Sequence, residues 1–93
     1  MAIVAKRLII TGRVQGVFYR GWTVETASAL RLAGWVRNRR NGDVEALVQG
    51  VKVDVERLIQ LAWQGPPAAR VEDIAVEDAE IGDLAGFSQR PAG

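Results

Sequence analysis

An α+β fold, with two helices on one face of an antiparallel sheet, is what this sequence predicts. Three observations predict it. Short β-branched runs alternate with two amphipathic stretches, the order reads strand, helix, strand, strand, helix, strand, and Asn41-Gly42 marks a tight hairpin between the middle strands. Lys6–Thr11 is rich in β-branched residues and stops at Gly12, as a strand does. Gly12-Arg13-Val14-Gln15-Gly16 is a loop with two glycines. From Arg20 to Leu32, Val24, Ala27 and Leu30 recur close to one helical face, and Gly34 is the expected stop. Trp35–Asn38 and Asp43–Val48 alternate as two half-buried strands around Asn41-Gly42, where both positions tolerate positive φ. Val53–Trp63 carries the stripe Val55, Leu58, Ile59 and Ala62, with Asp54 and Glu56 at the positive end of the helix dipole. Gly65-Pro66-Pro67 ends it. In Arg70–Glu77, Ile74 and Val76 alternate while Val71 is out of step, which predicts a bulge near Glu72-Asp73. Phe87–Arg90 reads as a weaker strand and Pro91–Gly93 as a frayed end. The arrangement is the ferredoxin-like split βαβ, with residues 1–93 as a single domain.

Composition narrows the chemistry. The 93 residues are 48% apolar and contain no Cys and no His. That leaves no disulfide framework, thiol nucleophile, imidazole base or nitrogen-rich metal site. The longest apolar run, Met1–Ala5, is far short of the roughly 20 residues of a membrane span. A soluble, cytoplasmic domain is expected, without a membrane partner. Charge is uneven: residues 1–70 hold 11 basic and 5 acidic side chains, residues 71–93 hold 1 and 6. A positive field of this kind draws a small anion or a nucleic acid, or it marks two halves that complement each other.

The segment that carries chemistry is Gly12-Arg13-Val14-Gln15-Gly16-Val17-Phe18-Tyr19-Arg20. Two glycines in a strand-to-helix turn let successive N–H groups point inward, and a helix N-terminus behind them favours an anion. Arg20, at the start of that helix, has the planar fork that holds two phosphate oxygens. On pattern alone a tight turn with a solvated arginine is the simpler reading of the segment. Asn38 lies in Gly34-Trp35-Val36-Arg37-Asn38, and with the first and third elements side by side it can approach the loop. Its amide could hold a water, or it could simply begin a hairpin.

Together the two segments, with 18 positions from Arg20 to Asn38, closely resemble the acylphosphatase family. The resemblance runs over nearly the whole chain and includes Asn41-Gly42 and Gly65-Pro66. It implies hydrolysis of the carboxyl–phosphate bond of a small-molecule acyl phosphate. By the same resemblance, Arg13, Val14, Gln15, Gly16, Val17 and Phe18 cradle the phosphate with backbone amides, Arg20 binds its charge and Asn38 orients the attacking water. No cofactor and no metal are implied. One departure stands out: where the family commonly has Leu-Gly-Leu, this chain has Leu30-Arg31-Leu32, and left-handed angles at Arg31 would cost on the order of 1 kcal/mol.

A carboxylate leaves with a conjugate-acid pKa of about 4, so it departs without a proton donor. Phosphoryl transfer then needs chiefly positioning and charge stabilisation, which an arginine and backbone amides supply. An amide is not a base, so a phosphate oxygen is the expected acceptor of the water's proton. Arg37, Arg39 and Arg40 form a basic cluster, read as a solvated face rather than a nucleic-acid patch because the paired aromatics of an RNA-binding sheet are missing. Trp22, Trp35 and Trp63 are expected to pack, and the acidic residues of 71–93 lack a calcium-loop arrangement. A monomer without a nucleic-acid partner is expected. The competing reading is a non-catalytic acyl- or carbamoyl-phosphate-binding module, like the related domain at the front of hydrogenase-maturation carbamoyltransferases, which belongs to a much longer chain.

Overall fold

A computed structural model describes residues 2–93. The elements are β1 (Ile3–Arg13), α1 (Tyr19–Ala29), β2 (Ala33–Asn38), β3 (Val44–Val51), α2 (Lys52–Ala62), β4 (Arg70–Asp78) and β5 (Phe87–Gln89), with strand order β4-β1-β3-β2-β5. Leu8, Ile10, Val36, Val44, Ala46 and Val48 alternate onto one face of the sheet. There they meet Tyr19 and Ala27 of α1 and Val55, Leu58 and Ala62 of α2 in one buried cluster. Among the described residues no helix is long and apolar enough to cross a membrane.

The sheet is mixed rather than antiparallel. β1 pairs antiparallel with β3 and β4, and β2 with β3, but β5 runs parallel to β2. The chain leaves β4 at one edge and reaches the opposite edge before β5 begins, so β5 meets β2 from the parallel direction. The expected bulge is present: Thr11 faces Asp73 and Gly12 faces Val71, leaving Glu72 without a partner. The acidic end of the chain also meets the basic beginning, since Asp78 pairs with Lys6 and Glu77 with Arg7 across β4 and β1.

Three local expectations need correction. Helix α1 stops at Ala29, not Leu32, and Gly34 does not stop it. Arg31 takes left-handed angles (φ 58°), its N–H donates to the Ser28 carbonyl at 3.0 Å and the Leu32 N–H donates to the Ala27 carbonyl at 2.9 Å. These are the two reversed hydrogen bonds that close a helix around a glycine-like residue. Gly34 instead lies inside β2, where a Cβ would collide with the Leu47 carbonyl of β3. In the hairpin only Gly42 has positive φ, and the Asp43 N–H donates to Oδ1 of Asn41 at 3.1 Å. The Arg39 N–H donates to the Asp43 carbonyl at 2.8 Å, so the turn spans three residues rather than two. The end of the chain is tied down: the Arg90 N–H donates to the Val36 carbonyl (2.8 Å) and the Gly93 N–H to the Asn38 carbonyl (3.1 Å), which extends the β2 edge.

The other face carries charge. Glu45, 3% exposed, accepts from Nε of Arg7 (2.5 Å) and Nε of Arg37 (2.7 Å). Burial alone would push its carboxyl up, but the hydrogen bonds from Arg37 and Arg7 outweigh it and hold the pKa below the ordinary glutamate value. The guanidinium groups of Arg37 and Arg90 lie 5.2 and 4.8 Å from the Trp35 ring centroid. That aromatic surface already carries two cations. Trp22 packs against the core as expected, whereas Trp63 is 47% exposed.

Candidate active site

The loop between β1 and α1 is pinned by its own side chains. Val14 is buried in the core, and Val17 packs against it. Nε2 of Gln15 donates to the Arg39 and Asp43 carbonyls of the β2–β3 hairpin, both at 2.8 Å. On either side of Val17, Gly16 (φ 73°) and Phe18 (φ 68°) are left-handed. Alternation of left-handed and ordinary residues turns consecutive N–H groups to one side, forming an anion-binding concavity. For a bulky residue such as Phe18, that conformation costs about 1–3 kcal/mol, a strain that concentrates at functional sites. Phe18 is also the N-cap of α1 and makes no side-chain capping bond, so the first helical N–H groups are left for another acceptor.

The first residue of α1 is held from behind. The Tyr19 hydroxyl, buried, donates to the Ala62 carbonyl at the end of α2 (2.5 Å), and Gly65 lies so close to the Tyr19 ring that a side chain there would crowd it. Burial pushes the phenol pKa up, so the hydroxyl stays protonated and remains a donor. Oγ1 of Thr23 donates to the Tyr19 carbonyl at 2.8 Å. The start of α1, and with it the β1–α1 loop, is thus tied to the far end of α2.

A hollow of about 120 Å³ opens between these parts. Val14, Gly16, Phe18, Tyr19, Arg20 and Gly21 border it from the loop and the first helical turn, Asn38 from the end of β2, and Gln89 from β5. The two residues expected to act, Arg20 and Asn38, therefore meet in one cavity, but not by the expected route. β1 lies beside β3, and β2 is one strand further away. The gap is bridged because Gln15 holds the loop against the hairpin that follows Asn38. Oδ1 of Asn38 is buried without a hydrogen-bond partner, the one such side-chain atom among the described residues. Arg20 is half-buried and takes part in none of the ion pairs among the described residues.

Of the loop residues expected to cradle phosphate, Val14, Gly16 and Phe18 border the hollow, while Arg13, Gln15 and Val17 do not. Arg13 ends β1 exposed, Gln15 is a strut and Val17 belongs to the core margin. Three bordering residues have no role in the sequence reading: Tyr19, which lies inside the motif, Gly21 and Gln89. Gly21 is crossed by the Phe18 ring, leaving no room for a Cβ, and a glycine in a first helical turn was the available signal. Gln89 gave no signal, because its place depends on which strand β5 joins. Among the described residues no group of three or more His, Cys, Asp or Glu is placed to hold a metal.

The family model for acylphosphatase matches residues 6–89. An acylphosphatase of Rhodospirillum rubrum is 55% identical over 83 residues, covering 89% of this chain and 91% of its own. The structure of an acylphosphatase from Coxiella burnetii superposes with a TM-score of 0.92 at 34% identity, over 95% of this chain and 93% of that one. Full-length HypF, in its phosphate- and nucleotide-bound form, matches 98% of this chain with a TM-score of 0.91 at 27% identity, but that match is 12% of HypF. Sequence, fold and cavity converge, and the chain belongs to the acylphosphatase family.

Proposed function

We propose that the hollow between the β1–α1 loop and Asn38 hydrolyses acyl phosphates, with Arg20 and the loop N–H groups holding the phosphoryl group and Asn38 orienting the water. The observation that carries the reading is the pairing across one cavity of an arginine and a buried amide oxygen that, among the described residues, have no ion-pair partner and no hydrogen-bond partner respectively. The arginine fork and the left-handed loop bind the equatorial phosphoryl oxygens, where charge spreads in the transition state. Oδ1 of Asn38 accepts a hydrogen bond from the water and so aims a lone pair at phosphorus. The water oxygen bonds to phosphorus, the bond from phosphorus to the acyl oxygen breaks, and its electron pair leaves on the carboxylate. The water's proton passes to a phosphoryl oxygen, giving dihydrogen phosphate. No side chain has to act as a strong acid or base. The substrate is a small-molecule acyl phosphate, acted on by a cytoplasmic monomer; sedimentation and cell fractionation test those two points.

The binding-module alternative is the weaker reading, because the acylphosphatase of R. rubrum is 55% identical to this chain, against 27% for HypF. Hydrolysis of benzoyl phosphate tests the proposal directly. Wild type is expected to turn over, Arg20→Ala to lose turnover, and Arg20→Lys to recover little because one point charge cannot reproduce the fork. Turnover by Arg20→Ala close to wild type would refute the assignment.

A further inference from the structure

We infer that Gln89 reads the acyl half of the substrate, its amide oxygen accepting from an acyl group that carries an N–H, so that the site favours a carbamoyl-type over an alkyl acyl phosphate. The inference rests on the functional reading above and extends it to the leaving group. In the parallel β2–β5 pair Gln89 faces Val36, a core residue, so its side chain stands on the sheet face that carries Val36 and Asn38 and on which α1 packs. It borders the same hollow as Arg20 and Asn38 and is exposed, and its side chain makes no hydrogen bond among the described residues. The charged and N–H donors lie on the loop side. Gln89 is a neutral amide reaching in from a different element. A neutral amide contributes little to a dianion already gripped by a guanidinium; its N–H groups suit the carbonyl that every acyl phosphate carries, and its oxygen accepts only from an acyl group with an N–H, which is the contact that separates the two classes. Phe18 borders the same hollow, and its exposed ring, lying across Gly21, gives the outgoing acyl group an apolar wall.

Acetyl phosphate and carbamoyl phosphate isolate the contact, because they differ chiefly by a methyl in place of an amino group. The wild type is compared with Gln89→Met, which keeps the side-chain length and loses the amide, and with Gln89→Ala. Both variants should lower the carbamoyl-to-acetyl ratio of kcat/KM by about three- to tenfold, the worth of one partly solvated hydrogen bond. The inhibition constant of inorganic phosphate should stay near the wild-type value. An unchanged ratio, or a loss of phosphate affinity in step with kcat/KM, overturns the inference while leaving the Arg20 reading intact. Failure of that reading shows separately, as hydrolysis by Arg20→Ala.

Discussion

Replacing Arg31 by glycine should stabilise the protein. Arg31 sits at φ 58° just beyond α1, held there by the hydrogen bonds from its own N–H to Ser28 (3.0 Å) and from Leu32 to Ala27 (2.9 Å). Its side chain is exposed and forms no ion pair among the described residues, so no ion pair offsets the backbone strain. A non-glycine residue in this conformation costs about 1–2 kcal/mol. Glycine adds unfolded-state entropy that returns about 0.4–1 kcal/mol of that. The net gain is about 0.5–1 kcal/mol, which in a domain of this size raises Tm by about 2–8 °C. Urea unfolding should show a higher midpoint at an unchanged slope. Arg31→Ala is the control, since alanine carries the same Cβ and should gain nothing. A glycine variant no more stable than wild type, or an alanine variant that gains as much, would show that the turn is not strained at this residue.

Two further perturbations probe the supports of the site. Tyr19→Phe keeps the ring but leaves the Ala62 carbonyl without its buried donor, and should lower stability by about 1–3 kcal/mol in urea unfolding. No change would mean the hydroxyl does not anchor α1. Glu45 has a folded pKa below its unfolded value, so its contribution is complete above the ordinary glutamate range, about pH 4.3, and drains as pH falls through the folded value. Glu45→Gln should therefore cost stability at neutral pH, by about 1–3 kcal/mol, and flatten the acid limb of the stability profile. An acid limb as steep as wild type would exclude Glu45 as its source.

The elements with strong periodicity were legible in the sequence. The stripe Val55, Leu58 and Ala62 placed α2, and the out-of-step Val71 marked a bulge that the register puts at Glu72. Boundaries set by backbone angles were less so. Gly34 looked like a helix stop because glycine serves both for a left-handed turn and for close strand approach, and here it does the second. Arg31 does the first with a residue that local propensity disfavours. In the site, Arg20 and Asn38 were named by the motifs, yet their proximity was inferred from the wrong strand pairing; the Gln15 strut makes it possible. Gln89 was invisible because a three-residue parallel edge strand carries no periodic signal, and its neighbours exist only once the chain has crossed the sheet.

That a guanidinium holds the phosphate while an amide aims the water is tested most directly by Asn38→Ala and Arg20→Ala side by side. Both kcat for benzoyl phosphate and the inhibition constant of inorganic phosphate are measured. The expected result is an Asn38→Ala enzyme slowed about 10²–10³-fold that still binds phosphate nearly as wild type does, and an Arg20→Ala protein that no longer binds it. An Asn38→Ala enzyme that loses turnover and phosphate affinity in equal measure would contradict the division of labour between the two residues.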